Sequence, residues 1–364
     1  MPSLQHTSDP EKTLSVRERV IELVQRFGWN ATCYQIVNPG LALWFNDSPE
    51  AVIAYVEKNR TRVVAGAPVC AEDEISRIIG IWEEESRVQG CKVCYFGASG
   101  RIEHLLSDCS GYSTVVLGSQ PVWEPSHWPE IVKANANIRA QLNRARNKGL
   151  VVEEWDSGKA TNHPELERVL EEWLRDRGLP PLHFLVEPQT LSFLEGRRVF
   201  VARQHDKVVA FLLVSPIPLR NGWLTEQFPR GKDSVNGTVE CMIDYAMRAL
   251  AKDGADYVTM GLVPLSMQGI TSKFENPLWL KILLRWVRAH GQRFYNFGGL
   301  EAFKGKLSPD YWEPIYAISN EKSFSFRSLY AIAAAFTHTS PILAVVKGLW
   351  RAVRQEFRWM LGKP

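Results

Sequence analysis

At the C-terminal end of the sequence, Lys347, Arg351, Arg354 and Arg358 recur at i, i+4, i+7 and i+11, which lines four cations along one face of a helix. Val346, Leu349, Trp350, Val353, Phe357, Met360 and Leu361 fall mostly on the other face. A basic face opposite Trp, Phe and Leu suits an interfacial membrane helix, whose apolar side enters the headgroup boundary while its cations meet anionic lipid. A terminal helix packed on the core with a solvated charged face would carry the same pattern. Elsewhere the short motifs exclude more chemistry than they offer. Cys91 and Cys94 form a C-x-x-C inside the apolar run Lys92 to Phe96, but no second pair or histidine cluster completes a zinc site, so they read as core thiols. Gly97, Ala98, Ser99 and Gly100 resemble a nucleophile elbow only superficially, because the second glycine directly follows the serine. No GxGxxG opens a helix after a strand and no GxxxxGK(S/T) exists, so dinucleotide and P-loop readings lack their phosphate cradle.

The chain has 364 residues, 45% apolar and 23% charged, which is ordinary globular composition at a length that favours two domains. Six cysteines at 33, 70, 91, 94, 109 and 241 are too few and scattered for a disulfide framework, which implies reduced thiols in a cytosolic setting. The net charge of +3 is unevenly placed: from Lys322 onward seven basic residues stand against one acidic residue, Glu356, so the rest of the chain is net negative. The longest uncharged apolar stretch, Leu329 to Phe336, falls far short of the roughly 20 residues that cross a bilayer. The N-terminus lacks a basic region followed by an apolar one. Neither a spanning helix nor a secretion signal is expected.

The elements that must position any site alternate. Val16 to Phe27 reads as an amphipathic helix closed by Gly28, Arg62 to Val69 as strand, Glu72 to Gln89 as helix and Lys92 to Phe96 as strand. Thr238 to Lys252 reads as helix, with a turn at Gly254 and a strand at Tyr257 to Leu262. A helix at Leu278 to His290, stopped by Gly291, precedes a strand at Arg293 to Phe297. The passages QGCKVCYFG, KDGADYVTMG and AHGQRFYNFG echo one another. Val199 to Arg203 and Lys207 to Val214 look like a hairpin, and His127 to Lys148 like a long polar helix bridging two domains with a boundary near residue 155. The pattern implies mixed α/β layers, closer to an acyltransferase fold of the GNAT type than to a doubly wound nucleotide fold. The usual CoA turn, Q/R-x-x-G-x-G/A, is missing, since Arg146 to Val151 fails at its last position, so an acyl donor other than CoA is expected.

Several segments resemble the C-terminal catalytic domain of phosphatidylglycerol lysyltransferases. They are FGWNATCYQIVNPGLALWF (Phe27 to Phe45), VVAGAPV (Val63 to Val69), IRAQLNRARNKG (Ile138 to Gly149), WLTEQFPRGKDSVNGTVECMID (Trp223 to Asp244), GLVPLS (Gly261 to Ser266) and FYNFGGLEAFKGKLSP (Phe294 to Pro309). Each is short, but their order runs over about residues 15 to 320. The resemblance implies an α/β (α+β) fold of two tandem GNAT-like acyltransferase domains joined by a long helix. These would be 1–155 with the linking helix, 156–321 as catalytic domain, and a basic amphipathic helical tail at 322–364. It implies an aminoacyltransferase with aminoacyl-tRNA as donor, the hydroxyl of an anionic membrane lipid, phosphatidylglycerol, as acceptor, and no cofactor or metal. The many N-terminal transmembrane helices of full-length members are missing here. The expectation is therefore a separate lipid flippase, with Lys347, Trp350, Arg351, Arg354, Phe357 and Arg358 holding a cytoplasmic protein on the inner face of the membrane.

Ester-to-hydroxyl acyl transfer needs the attacking hydroxyl deprotonated and the developing oxyanion stabilised. On the resemblance, Glu226 or Glu240 is the base, or binds the amino group of the aminoacyl ester. Arg230, four residues after Glu226, suits a lipid phosphate through its planar fork. Asn236, Gly237, Ser266, Tyr295, Asn296, Lys304 and Lys306 are the further substrate-binding candidates. Lys304 and Lys306 could each neutralise a tRNA phosphate beside a base-stacking Tyr295 or Phe303. Arg139, Arg144, Arg146 and Lys148 form a second basic stripe for tRNA contact. Two alternatives stay open: a non-catalytic tandem module that binds membrane or RNA, and aminoacyl transfer to a peptide or cell-wall precursor.

Overall fold

The computed structural model describes residues 10–107, 109–176, 183–270, 276–280 and 297–337. Among them thirteen strands form a single sheet. The first half opens with α1 (Pro10–Phe27), which Gly28 ends, and a short 3-10 turn at Cys33–Val37. Three antiparallel strands follow, β1 (Ala42–Asp47), β2 (Glu50–Lys58) and β3 (Thr61–Ala65). After the short β4 (Val69–Cys70), α2 (Ile75–Val88) crosses over to β5 (Lys92–Ala98), which lies parallel to β3. Then come α3 (Gly100–Leu106) and β6 (Ser113–Trp123).

The second half repeats the plan. After α4 (Trp128–Ala134) and α5 (Ala136–Asn147) come β7 (Leu150–Trp155), α6 (Ser157–Ala160), α7 (Pro164–Arg175), β8 (Arg198–Gln204), β9 (Lys207–Ile217) and β10 (Gly222–Gln227). Strands β7 to β10 form an antiparallel meander. Helix α8 (Thr238–Lys252) crosses over to β11 (Tyr257–Thr259), which lies parallel to β10. The chain finishes with β12 (Val263–Pro264), α9 (Phe297–Gly305), β13 (Tyr311–Ser319) and α10 (Phe326–Ala335). The helix, glycine and strand echo seen in the sequence is this crossover: Gly90 and Gly254 both take a left-handed conformation between helix and strand. The third passage lies outside the described residues, as does the expected helix beyond residue 280, and Phe297 opens a helix where a strand was expected to end.

No break in the sheet marks residue 155. The strand order is β1-β2-β3-β5-β13-β6-β11-β10-β9-β8-β7, so the last strand inserts between β5 and β6 of the first half. One hydrophobic core draws on both halves: Tyr34, Val52, Cys94 and Phe96 pack with Ile217, Leu224 and Tyr257 under α1 and α10. The opposite face of the first half is covered by α2 and α3, with Trp82 and Tyr95 buried. The second half is covered by α4, α5 and α8 on one side and α7 on the other.

The expected bridging helix at His127 to Lys148 is two helices broken at Asn135, whose side-chain oxygen caps α5 by accepting from the N–H groups of Asn137 and Ile138. Both helices lie on the second half, because Trp128, Val132, Ile138, Leu142 and Ala145 bury there against α8. Just before α8, against α5, stands Gly237, at φ +94°; a Cβ added there would sit 2.2 Å from the Gln141 carbonyl oxygen. Its glycine character is therefore a packing requirement. We expect Gly237→Ala to cost about 2–3 kcal/mol through backbone strain and helix displacement, measured as a lowered denaturation midpoint with unchanged m-value.

Candidate active site

The segment 297–310 lies along β6 and is tied down at each step. Glu301 on α9 accepts a hydrogen bond from Ser266 Oγ (2.9 Å), and Ser266 in turn accepts from Ser119 Oγ on β6 (3.1 Å). One turn later Lys304 enters the protein and donates from Nζ to the carbonyls of Met260 (2.6 Å) and Gly261 (3.0 Å). Those carbonyls are free because the chain leaves β11 there, with Gly261 at positive φ, which is also why the strand stops three residues short of the expected Leu262. The Trp123 indole N–H donates to the Leu307 carbonyl (3.0 Å), and Asn135 Nδ2 to the Lys306 carbonyl (2.8 Å). Lys306 Nζ pairs with Glu240 in the first turn of α8 (2.7 Å) and lies over the Phe303 ring, which packs on Phe228.

Four residues expected from the sequence, Glu240, Ser266, Lys304 and Lys306, are thus brought onto one short segment. Lys304 differs from the solvated phosphate contact expected for it. It is only 3% exposed, and burial pulls its ammonium down to about 7. Arg230 and Asn236 are exposed in the loop between β10 and α8, and the Phe228–Phe303 contact sets that loop beside α9. Arg230 has no ion-pair partner among the described residues. Tyr295 and Asn296 lie outside the described residues, as do Lys347, Trp350, Arg351, Arg354, Phe357 and Arg358.

Glu226 has a different setting. At the end of β10 it accepts from Arg197 Nε (2.8 Å), with side-chain exposures of 7% and 0%. Arg197 also donates to Asn38 Oδ1 (2.7 Å) and the Phe193 carbonyl (2.7 Å), and lies over the Tyr34 ring. This ion pair clamps the 3-10 turn of the first half to the second. The basic stripe also divides. Arg139 caps the carbonyls of Val132 and Lys133, and Arg146 pairs with the buried Asp244 (2.8 Å). Arg144 and Lys148 remain exposed, with no ion-pair partner among the described residues, as does Lys252 at the end of α8.

Sequence reasoning missed Glu301, although it stands three residues before Lys304 inside the quoted motif. It also missed Asp244, whose carboxylate takes Arg146, Arg248 and the Trp128 indole N–H; the i, i+4 run of Glu240, Asp244 and Arg248 was the available signal. At the seam between halves Arg220 lies between the rings of Trp29 and Tyr257 and donates to Glu313 (2.8 Å), which also accepts from Tyr257 and Gln120. Nothing in the local sequence marks these five positions as neighbours. Burial, with Glu313 beside it, holds the Tyr257 phenol well above its usual range. Cys91 and Cys94 are both buried, and burial likewise raises their thiols. Beneath α5 and α8 a groove of about 540 Å³ is lined by Arg146, Arg198, Arg248, Lys252, Asp244 and Tyr245 among others, and most of its charges are paired.

Residues 21–319 match the family model for the C-terminal part of phosphatidylglycerol lysyltransferase. The chain is 20% identical to the phosphatidylglycerol lysyltransferase of Staphylococcus xylosus, over 81% of this chain and 35% of that protein. Against the Bacillus subtilis enzyme of the same name it is 22% identical, over 85% and 36%. It therefore spans little more than a third of these relatives. Its fold matches the C-terminal domain assigned to a lysylphosphatidylglycerol synthetase of Agrobacterium fabrum with a TM-score of 0.75, at 22% identity over 89% of this chain and 98% of that one. The structure of L-PGS from Bacillus licheniformis gives 0.71, at 20% identity over 94% and 96%.

Two measurements test this geometry. Arg197→Met leaves Glu226 buried and unpaired and should cost about 3–5 kcal/mol, whereas Arg197→Met with Glu226→Leu should recover much of that loss in a double-mutant cycle. If the single and double variants are equally unstable, the pair is not the clamp described. For Lys304 the folded pKa lies below the unfolded value of 10.5, so between pH 7 and 10.5 the unfolded chain binds a proton that the folded chain does not. Stability contributed at this position therefore rises with pH through that window, by at most about 1.4 kcal/mol per pH unit. Thermal unfolding should show wild type gaining on Lys304→Met between pH 7 and 9.5; parallel curves would contradict the buried, depressed lysine.

Proposed function

Because the chain belongs to the phosphatidylglycerol lysyltransferase C-terminal family, we propose that it transfers the aminoacyl group of an aminoacyl-tRNA to the hydroxyl of an anionic membrane lipid, phosphatidylglycerol in the first place. The observation that carries this reading is the span of the family match: residues 21–319 take in the β10–α8 loop, the end of β11 and the whole 297–310 segment. In the reaction the lipid hydroxyl oxygen attacks the ester carbonyl carbon. A new ester bond forms, the bond to the terminal ribose oxygen of the tRNA breaks, and the proton of the attacking hydroxyl ends on that ribose oxygen. A base must hold the proton in between.

Glu240 suits that task better than Glu226. It stands in the first turn of α8, where a Lys306 that keeps 40% of its side chain exposed pairs with it and orients it, whereas the Glu226 carboxylate is committed to a buried guanidinium. Arg230, exposed beyond β10 and without an ion-pair partner among the described residues, offers its fork to the lipid phosphate. Arg144 and Lys148 at the end of α5 and Lys252 at the end of α8 have no ion-pair partner among the described residues and suit the phosphates of the tRNA. The same reading puts the protein at the cytoplasmic side of the membrane, where charged tRNA is found.

The test is incubation with a set of tRNAs charged with labelled amino acids and phosphatidylglycerol vesicles, following label into the lipid extract. Wild type should form an aminoacyl lipid in a strongly salt-sensitive reaction. Glu240→Gln should lose on the order of 10²–10⁴ in turnover, and Arg230→Lys should lose activity together with Arg230→Ala because a lysine does not reproduce the bidentate contact. Discharge of tRNA onto a peptide acceptor alone would redirect the acceptor, and no discharge of any charged tRNA would leave a binding module.

A further inference from the structure

We propose that the end of the sheet formed by the β2–β3 turn, the start of β5 and residues 320–327 is a docking surface for an anionic bilayer, built from other residues than the α9 segment and the cations at 347–358. At this end Lys58, Arg60, Lys92 and Lys322 are exposed and have no ion-pair partner among the described residues. Hydrogen bonds place them together: the Lys92 N–H donates to the Arg60 carbonyl (3.0 Å), that of Asn320 to the Val93 carbonyl (3.0 Å), and Arg327 Nε to the Asn59 carbonyl (3.1 Å). Arg327 therefore keeps its charge uncompensated. The neighbouring acids are engaged elsewhere, Glu57 with buried Arg62 and Glu321 with the hydroxyls of Ser319, Ser325 and Ser328.

Beside these cations the protein exposes large apolar side chains. Phe326 is 67% and Leu278 74% exposed, and Phe326 stacks on Trp279 with ring centroids 4.1 Å apart. Asn276 fixes this segment to the same end of the sheet by accepting from the Val116 N–H (3.0 Å). An aromatic pair and a leucine among five cations match what a bilayer surface offers, hydrocarbon beneath anionic headgroups. A nucleic acid would use the charge but would leave the leucine in water. The turn at Asn59 and Arg60, both at positive φ, projects its two side chains clear of the strands.

The inference adds a partner surface to the lipid-acceptor reading, and its test does not need catalysis. The full chain is cosedimented with phosphatidylcholine vesicles with and without phosphatidylglycerol. Binding should require the anionic lipid and fall with salt. Charge reversal at Lys58→Glu, Arg60→Glu and Lys92→Glu together should weaken it at least about tenfold, and Phe326→Ser should weaken it at unchanged charge, both with little change in melting temperature. Transfer to a short-chain, monomeric phosphatidylglycerol should be unaffected in these variants, so a wild type that docks but transfers nothing would fail the catalytic reading alone. Vesicle binding equal to wild type in both variants overturns the docking surface. So does an equal loss on reversing Arg144 and Lys148, or a loss of tRNA binding with vesicle binding retained, which would assign the patch to RNA.

Discussion

The position of β13 constrains everything else in this molecule. β5 and β6, consecutive strands of the first half, do not touch; the last strand of the chain lies between them and pairs with β6 along all nine of its residues. The first half therefore has no continuous sheet until the second half has been traversed, and β6 in turn carries β11 and β12. A segment that must reach this slot has little freedom in the residues just before it. That is why 297–310 runs along β6 in a fixed register, held through Lys304, Leu307 and Asp310 to Met260, Trp123 and Val122.

Charges divide into those the fold has used and those it has left over. Arg197 with Glu226 and Asp244 with two arginines are buried on at least one side, Arg220 with Glu313 is partly buried, and each joins elements distant in sequence. Burying them is costly unless the partners and further hydrogen bonds are all in place, so these residues are poor choices for groups that must change protonation or release a ligand. Arg144, Lys148, Arg230, Lys252, Lys58, Arg60, Lys92 and Lys322 are exposed cations with no ion-pair partner among the described residues. Charges of that kind are available for phosphate.

Local periodicity made much of this legible. Thr238–Lys252 matches the expected helix residue for residue, and the hairpin of β8 and β9 falls where alternation put it. The ordered motifs located the segment on which Glu240, Ser266, Lys304 and Lys306 meet. What stayed hidden depends on strand order. A polar stretch such as 127–148 reads as a bridge until Trp128 and Leu142 are seen buried on α8, and the asparagine that breaks it is visible only as a possible cap. Lys304 reads as a surface lysine because nothing local reveals that β11 ends in two unpaired carbonyls. The Arg220 stack joins residues 29, 220, 257 and 313, a contact that only the tertiary fold creates.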